Sequence, residues 1–352
     1  MARPVTAAHL LARVLAEPER AVGLDAAAWN ALIAAARAEQ LIGSLALRVG
    51  THALPPVVAD VLHDARDAAT EQRRAALWEA EMMRRVLAPL GVPLVLLKGT
   101  AFVAAGLSAG QGRHIGDLDL LVPRAALPAI EHALLEAGWE WAKPNAYDDD
   151  YYRRWMHELP PLIHRDRDRM IDVHHTILPP TARPTPDADA LIAGAVPLGN
   201  GLSVLAPADM VIHAALHLFA DGDLAGGLRN LWDVDRLLRE FADDDRDFWL
   251  KLHARSAEHE AAKFVTRAAR LSARLFDTPI PVAWRRGSAA DGLYARRLLA
   301  RDGWGRETRP AMRLAFYVRS HWIRMPPLML ARHLLIKARR RAGSGGDAVP
   351  AR

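Results

Sequence analysis

The sequence is 352 residues long and contains no cysteine, only five lysines and no uncharged stretch of about 18 residues. Without cysteine, the protein has no disulfides, no thiol nucleophile and no thiolate metal ligands. The first 20 residues lack the continuous apolar segment of a secretory signal, and no apolar run is long enough for a membrane-spanning helix. We therefore expect a cytoplasmic protein. Charged residues make up 25% of the chain and hydrophobic residues 51%, which is typical of folded globular proteins.

The positive charge is concentrated at the C-terminal end. Residues 295–352 carry 14 Lys and Arg against 3 Asp and Glu, whereas residues 1–294 have a net charge of −6. Within this basic segment, residues 313–341 interleave arginines with aromatic and aliphatic side chains. Such a helix either contacts an anionic membrane surface or packs on the preceding helices, and the sequence leaves both interpretations open. The acidic body gives no indication of nucleic-acid binding.

Apolar spacing predicts helices at the start of the chain and strands in its middle. Apolar residues at three- and four-residue intervals predict helices over residues 9–15, 29–36 and 58–87. Short apolar runs bounded by Gly, Pro or Asp then predict buried strands at residues 93–97, 118–122, 170–174 and 202–205. A helix is predicted over residues 125–137, because the spacing is helical and Gly138 follows.

The last part of the chain is again helical in pattern. Residues 179–197, rich in Pro, Ala and Asp, are predicted to form a connector, and helices follow at residues 208–219, 228–240, 248–275 and 313–341. The fold class is therefore predicted as α+β, with a small mixed-sheet core flanked by N-terminal and C-terminal helical regions. The expected divisions are residues 1–89, 90–206 and 207–342, with a disordered tail at residues 343–352.

Three aspartates lie at strand spacing in the predicted core. Side chains alternate faces along a strand, so Asp117 and Asp119 share one face, about 6.6 Å apart at Cα. Asp172 and His174 share a face of the strand over residues 170–174 in the same way. A third carboxylate from an adjacent strand would complete a site for Mg²⁺, which prefers oxygen ligands and takes part of its shell from phosphates. The alternative is that these aspartates cap a turn or face solvent.

A glycine turn precedes the acidic strand. The apolar run over residues 93–97 ends at Lys98 and Gly99, and Thr100 begins a short helical segment. A strand, a glycine turn and a helix start expose backbone N–H groups that can bind phosphate. Lys98 and Arg113 flank the intervening loop, so either can neutralise charge on a leaving pyrophosphate. Pairing with a carboxylate or exposure to solvent is the competing interpretation for both.

Two further groups are weaker candidates. His213 and His217 are four residues apart on a predicted helix, a spacing that can bind Zn²⁺, but no third ligand is evident. We favour core packing, or orientation toward the cleft, over metal binding. Asp233 and Asp235 diverge by about 200° on a helix and so cannot bind one ion together. Asp233 alone remains a candidate to face the cleft.

Three motifs together resemble a known superfamily. They are Leu-Leu-Lys-Gly-Thr at residues 96–100, Arg-His-Ile-Gly-Asp-Leu-Asp-Leu-Leu-Val at residues 113–122, and Ile-Asp-Val-His-His at residues 171–175. This ordered set resembles the DNA polymerase β-like nucleotidyltransferases, and more narrowly the bacterial family labelled uncharacterised nucleotidyltransferases. The resemblance covers roughly residues 90–240. The single glycine, Gly99, departs from the superfamily's usual Gly-Gly or Gly-Ser element.

The resemblance implies Mg²⁺-dependent or Mn²⁺-dependent transfer of a nucleotidyl group from a nucleoside triphosphate to an acceptor. The implied catalytic residues and metal ligands are Asp117, Asp119 and Asp172. The resemblance also implies that Gly99 and Thr100 hold the phosphates. Independently of the resemblance, Lys98, Arg113 and Gly116 are candidate nucleotide-binding residues, and His174, which shares a face with Asp172, is a candidate to support the metal ligands. The acceptor is a small molecule, a polysaccharide precursor or a protein, and the sequence does not distinguish these.

A second function class fits the same residues. The single-glycine element and the basic terminus also fit a non-catalytic member of the fold. Such a protein would bind a membrane surface or a protein assembly through residues 313–341. Turnover, or its absence together with retained partner binding, distinguishes the two classes.

Overall fold

The computed structural model describes residues 6–50, 52–142 and 155–326, and it begins with four helices. They are α1 (Ala7–Ala16), α2 (Ala26–Ala38), α3 (Ile42–Val49) and α4 (Pro56–Leu87). The side chain of Asp25 begins α2 by accepting a 2.8 Å hydrogen bond from the Ala28 N–H, which has no partner within the helix. Pro56 suits the first turn of α4, where no backbone N–H is needed. The three predicted helices are confirmed, and α3 is additional.

The middle of the chain forms one seven-stranded mixed sheet. Its strands are β1 (Val95–Leu96), β2 (Asp117–Leu121), β3 (Trp139–Trp141), β4 (Leu162–His164), β5 (Met170–His174), β6 (Val196–Pro197) and β7 (Ser203–Val204). Their order across the sheet is β3-β4-β5-β2-β1-β7-β6. Helix α5 (Lys98–Ala104) follows β1, and α6 (Leu127–Glu136) follows β2. The sheet between two helical regions confirms the predicted α+β class.

The two central strands set the position of the acidic residues. β2 and β5 run parallel, with Asp119 directly opposite Asp172. The alternate residues Leu118 and Leu120 are buried on the other face of β2. Burial of these leucines fixes the register, since a slip of one residue would put aspartates in their place against the apolar core. The strand pairing therefore brings carboxylates from two strands to one face of the sheet.

The edge strands β3 and β6 and the short helix α7 (Ala188–Ala193) were not predicted. The strands have only two or three residues, too few to show a two-residue alternation, and they form because neighbouring chain segments pair with them. Strand β4 pairs with β5 in the hairpin that the charged turn at residues 164–169 predicts between residues 162–163 and 170–171. Helix α7 lies in the segment predicted as a connector, and the Asp187 side chain caps it by accepting from the Ala190 N–H. The connector prediction was therefore wrong for residues 188–193.

The C-terminal region is helical. Its described helices are α8 (Pro207–Leu216), α9 (Gly227–Asp244), α10 (Phe248–Glu258), α11 (Ala262–Phe276), α12 (Asp291–Leu298) and α13 (Pro310–Arg324). The single helix predicted over residues 248–275 is wrong, because the chain turns between α10 and α11. Glu260 has a φ of 53° there, which ends the helical path. The turn places buried His259 within 3.6 Å of Asp209 on α8. The predicted tail at residues 343–352 lies outside the described residues, as does most of the predicted helix beyond α13.

The buried ion pair of Asp209 predicts a specific pH dependence of stability. Burial opposes ionisation of Asp209, but His259 and Arg255 hold the pKa of this carboxyl below its ordinary value of 3.8. Since the folded pKa is depressed, the pair stabilises the fold above about pH 4 and loses this effect as the pH falls further. Denaturant unfolding between pH 3 and 7 should show a shallower acid-side loss for Asp209→Asn than for the wild type. Parallel curves for the two proteins would contradict the prediction.

None of the helices in the described ranges is both long enough and apolar enough to span a bilayer. Helix α13 has two different faces. Phe316 and Ser320 are buried against the C-terminal helices, whereas Leu314, Val318 and Trp322 are exposed on the opposite side. The buried face of α13 agrees with packing on the preceding helices, and its exposed apolar face is compatible with membrane contact.

Candidate active site

Three carboxylates meet on the exposed edge of the central strands. Asp117, Asp119 and Asp172 each offer an oxygen, and these atoms lie within 4.8 Å of one another. Asp117 begins β2 and is exposed, Asp119 is buried, and Asp172 on β5 is half-buried. The cluster thus runs from solvent into the sheet, with its deepest member fixed on both sides by strand pairing.

The oxygens of this cluster fit a divalent cation. The Asp172 Oδ1 atom is buried and has no hydrogen-bond partner. Burial and the neighbouring Asp119 raise the pKa of Asp172 to about 6, because a second negative charge is unfavourable here. A cation placed among the three carboxylates would give the Asp172 Oδ1 atom a partner and would offset the negative charge that raises the pKa of Asp172. Carboxylate oxygens alone are the donor set that Mg²⁺ and Mn²⁺ prefer.

Lys98 places a positive charge next to the carboxylate cluster. Its Nζ atom lies 2.6 Å from Asp119 Oδ1. Burial alone would lower the pKa of Lys98, but the negative charge of Asp119 raises it. Burial alone would raise the pKa of Asp119, but Lys98 and His174 lower it. Lys98 also has a φ of 48°, in the left-handed region that non-glycine residues seldom adopt. The turn that carries Lys98 from β1 into α5 thus directs its ammonium at the carboxylates rather than at open solvent.

The polar cluster extends to residues that sequence reasoning missed. His174 Nε2 lies 3.0 Å from Asp119 Oδ1, and His174 Nδ1 lies 3.3 Å from Glu158 Oε2. His157 stacks on His174 with ring centroids 5.1 Å apart. The adjacent His157 and Glu158 are the only sequence feature that could have indicated these residues. The pair is not informative by itself, because Glu158 reaches His174 only through backbone pairing in the folded protein.

Arg113 joins the site through a close approach to Gly99. The Arg113 Nε atom donates to Asp233 Oδ2 at 3.1 Å, and Asp233 also accepts from Arg229 on the same helix, α9. A Cβ atom on Gly99 would lie 2.1 Å from Arg113 Nη1. Arg113 therefore occupies the space that a side chain at residue 99 would need. This observation gives Gly99 a steric role, and Asp233 faces the cleft as the sequence had suggested.

The contact between Gly99 and Arg113 predicts the effect of one added methyl group. In Gly99→Ala, the flexible end of Arg113 must move and its bond to Asp233 is strained, whereas the backbone can stay in place. The resemblance implies that these residues bind a triphosphate, and on that expectation its affinity should fall by about tenfold, or roughly 1.4 kcal/mol for one weakened charge-assisted bond. Isothermal titration calorimetry with a nucleoside triphosphate and Mn²⁺ measures this.

Gly292→Ala is the matched control for that variant. A Cβ atom at Gly292 meets no atom within 4 Å, so its nucleotide affinity should equal that of the wild type. Equal affinities for the wild type and both variants would show that the contact between Gly99 and Arg113 does not affect nucleotide binding.

Thr100 and Gly116 line a small pocket beside the acidic strand. The pocket has a volume of about 10 Å³, and Asp117 and Glu79 form part of its wall. The Thr100 hydroxyl is buried and has no hydrogen-bond partner. A Cβ atom on Gly116 would meet only His114, at 4.0 Å, so close packing does not require this glycine. Thr100 is therefore the residue here with an unsatisfied polar group.

The two helical histidines lie near the site without forming a metal cluster. His213, His217, Lys98 and Arg113 line a pocket of about 20 Å³, room for roughly one water molecule. Burial and the positive charge of Lys98 keep the pKa of His213 well below its ordinary value. His217 pairs with Asp221 instead, at 3.3 Å. Across the described residues, neither histidine belongs to a group of three ligands, which agrees with the preference for packing over Zn²⁺ binding.

A larger cavity of about 320 Å³ lies away from the carboxylates, between α3, α4 and α5. Arg66, Arg73 and Thr70 line one side of it. Its lining contains none of the three aspartates, so size alone does not locate the chemistry. The carboxylates and their partners define the candidate site instead.

Comparison with known proteins gave one family match. The profile of the family described as uncharacterised nucleotidyltransferase matches residues 25–277, which covers α2 to α11 and includes the whole sheet. A search of curated proteins found no match to the chain. The matched segment contains every residue of the carboxylate cluster and its partners, and it is more than half of the chain. The protein therefore belongs to the uncharacterised nucleotidyltransferase family, as its three motifs had indicated.

Proposed function

We propose that the protein transfers a nucleotidyl group from a nucleoside triphosphate to an acceptor by a two-metal mechanism. The observation that carries the proposal is the meeting of Asp117, Asp119 and Asp172, with the Asp172 Oδ1 atom buried and unpaired. Bound Mg²⁺ or Mn²⁺ would stabilise the charge that develops on the phosphoryl oxygens and lower the pKa of the acceptor hydroxyl. Family membership supports the reaction class.

The three carboxylates take different roles because their positions differ. Asp117 and Asp119 on β2 would hold both cations, and Asp172 on β5 would hold the one beside the acceptor. Beside that cation, Asp172 would also be placed to accept a proton from the acceptor hydroxyl. The partners of Asp119, which are Lys98 and His174, keep this carboxyl ionised and fixed in place.

Positive and polar groups next to the carboxylate cluster would bind the triphosphate. Lys98 and Arg113 supply charge, and the unpaired hydroxyl of Thr100 supplies a further contact to phosphate oxygens. Gly116 is exposed and leaves the backbone open beside these side chains.

The test is direct. The full chain is titrated with each nucleoside triphosphate in the presence of Mg²⁺ or Mn²⁺, and pyrophosphate release is then measured with candidate acceptors. The acceptors include a small molecule, a polysaccharide precursor and a protein. Metal-dependent binding followed by pyrophosphate release supports the proposal. Wild-type protein that binds no triphosphate with either metal contradicts it.

The ion pair between Lys98 and Asp119 favours a second candidate, a non-catalytic binding module. An ammonium at 2.6 Å already compensates a carboxylate that the reaction would use to hold a cation. In that case the wild type would show no turnover, and a variant with Asp117, Asp119 and Asp172 all changed to Ala would retain its partner. Turnover that disappears in the triple variant rules this candidate out.

We also propose that the protein is cytoplasmic and that the C-terminal end contacts a membrane surface peripherally. The exposed stripe of Leu314, Val318 and Trp322 on α13 supports this, since the opposite face of the helix is buried. Sedimentation with anionic phospholipid vesicles tests it, and Val318→Asp should reduce the bound fraction. Equal sedimentation with anionic vesicles, neutral vesicles and no vesicles contradicts it.

A further inference from the structure

His157, Glu158 and His174 form a second group of ligand atoms next to the carboxylate cluster. The His174 Nδ1 atom lies 3.3 Å from Glu158 Oε2, and the His157 Nε2 atom lies 3.8 Å from the same oxygen. One ligand atom from each residue lies within 4.8 Å of the others. In a tetrahedral site with bonds of about 2.0–2.1 Å, neighbouring ligand atoms are roughly 3.4 Å apart. Small side-chain movements would therefore bring these three atoms to ligand distance around one ion.

The group is buried and poorly satisfied by its protein neighbours. His157 is 6% exposed and His174 is 2% exposed, and the Nδ1 atom of each has no hydrogen-bond partner. Each imidazole therefore has a buried ring nitrogen that the protein leaves unoccupied, and an unprotonated ring nitrogen is the atom that binds a metal ion.

The backbone holds these residues in fixed relative positions. Glu158 forms an antiparallel bridge with His174, the Leu159 N–H donates to the Val173 carbonyl at 2.9 Å, and the His175 N–H donates to the His157 carbonyl at 2.8 Å. The segment carrying His157 and Glu158 thus pairs with the end of β5. Ligands on paired backbone are held more precisely than ligands on a free loop.

The second nitrogen of His174 faces a carboxylate. Its Nε2 atom lies 3.0 Å from Asp119 Oδ1, on the side of the ring away from Glu158. Imidazoles that bind metal ions commonly donate their other N–H to a carboxylate, which fixes the tautomer and the ring orientation. Asp119 would serve in this way for His174. His174 would in turn connect the two clusters.

We propose that His157, Glu158 and His174 bind a Zn²⁺ ion at a site separate from the carboxylate cluster. Two imidazoles and one carboxylate suit a borderline transition-metal ion, whereas the oxygen-only set of Asp117, Asp119 and Asp172 suits Mg²⁺ or Mn²⁺. Three protein ligands leave a fourth position for water. The site goes beyond nucleotidyl transfer, because it requires no nucleotide. Its position against Asp119 gives the ion a role in orienting His174.

The experiment uses the full chain, without a histidine tag and stripped of metal with a chelator, and titrates it with Zn²⁺ or Co²⁺ alone. We expect one ion at this site, apart from any that the carboxylate cluster binds, with Co²⁺ giving the visible absorption of a four-coordinate site that contains nitrogen ligands. Glu158→Gln keeps the size of the side chain and should weaken Zn²⁺ binding by more than the roughly 10-fold to 100-fold that loss of a ligand's hydrogen-bond partner costs. His157→Ala should do the same. Thermal melting of both variants verifies that they are folded.

Two controls separate this site from other Zn²⁺ binding. His132→Ala removes an exposed histidine on α6, and Asp117→Asn alters only the carboxylate cluster, so both should keep the wild-type Zn²⁺ affinity. Zn²⁺ binding that is lost in Asp117→Asn and kept in Glu158→Gln overturns the proposal, as does a wild type that binds no Zn²⁺. Because nucleotides are absent throughout, the result does not depend on the nucleotidyl-transfer proposal.

Discussion

Replacing Asp119 with asparagine is expected to reduce nucleotidyl transfer on the order of 10³-fold, the scale seen when one electrostatic group of an active site is removed. Asp119 is the deepest of the three carboxylates and is fixed by pairing of β2 with β5. An amide keeps the shape of the side chain but removes the charge that would hold a cation. Mn²⁺-dependent nucleotide binding, measured by calorimetry, should fall together with pyrophosphate release.

The control for this variant must separate loss of charge from loss of fold. Asp166→Asn changes an exposed aspartate in the turn between β4 and β5 and should leave binding and turnover unchanged. Because Asp119→Asn leaves the Lys98 ammonium without its partner, the double variant Lys98→Met/Asp119→Asn should melt at a higher temperature than the single variant. Folded Asp119→Asn protein with wild-type Mn²⁺ and nucleotide affinity would remove Asp119 from the site.

Lys98→Met is expected to lower the free energy of unfolding of the metal-free protein by about 3 kcal/mol, since removing one partner of a buried ion pair leaves the other charge uncompensated. Asp119 is the charge left behind, with His174 as its remaining close partner. A divalent cation replaces the missing charge, so the variant should bind Mn²⁺ more tightly than the wild type. At a concentration of 100 times Kd, the ion restores about 2.7 kcal/mol.

The measurement is denaturant unfolding with and without Mn²⁺. Lys251→Met removes an exposed lysine whose only role here is a surface pair with Asp245, and it should follow the wild type in both conditions. Lys98→Met protein that is as stable as the wild type without metal, and that gains no extra stability from Mn²⁺, would show that Lys98 does not neutralise the carboxylates. Under the proposed function, triphosphate binding should nevertheless weaken in this variant, because it lacks the Lys98 ammonium that lines a small pocket with Arg113.

Much of the fold could be predicted because its signals are local. The apolar runs at 118–122 and 170–174 lie within one residue of β2 and β5, since short apolar runs bounded by Gly or Asp are typical of buried strands. The strands β3 and β6 could not be predicted, because neither lies in a longer apolar run and each forms where a neighbouring strand supplies hydrogen bonds. The break between α10 and α11 was missed for a similar reason. It places His259 against Asp209, and this contact joins two helices that are distant in sequence.

The sequence by itself determined that Asp117 and Asp119 share a face, that Asp172 lies on another strand, and that the chain belongs with nucleotidyltransferases, because residue spacing and motif order are properties of the chain. Only the tertiary structure decided that β2 and β5 are parallel neighbours with Asp119 opposite Asp172. It also decided that the basic residues pair within the site, Lys98 with Asp119 and Arg113 with Asp233. Glu158 lies beside the site because its backbone pairs with that of His174. Contacts between distant residues depend on which faces are buried together, and no local pattern records that choice.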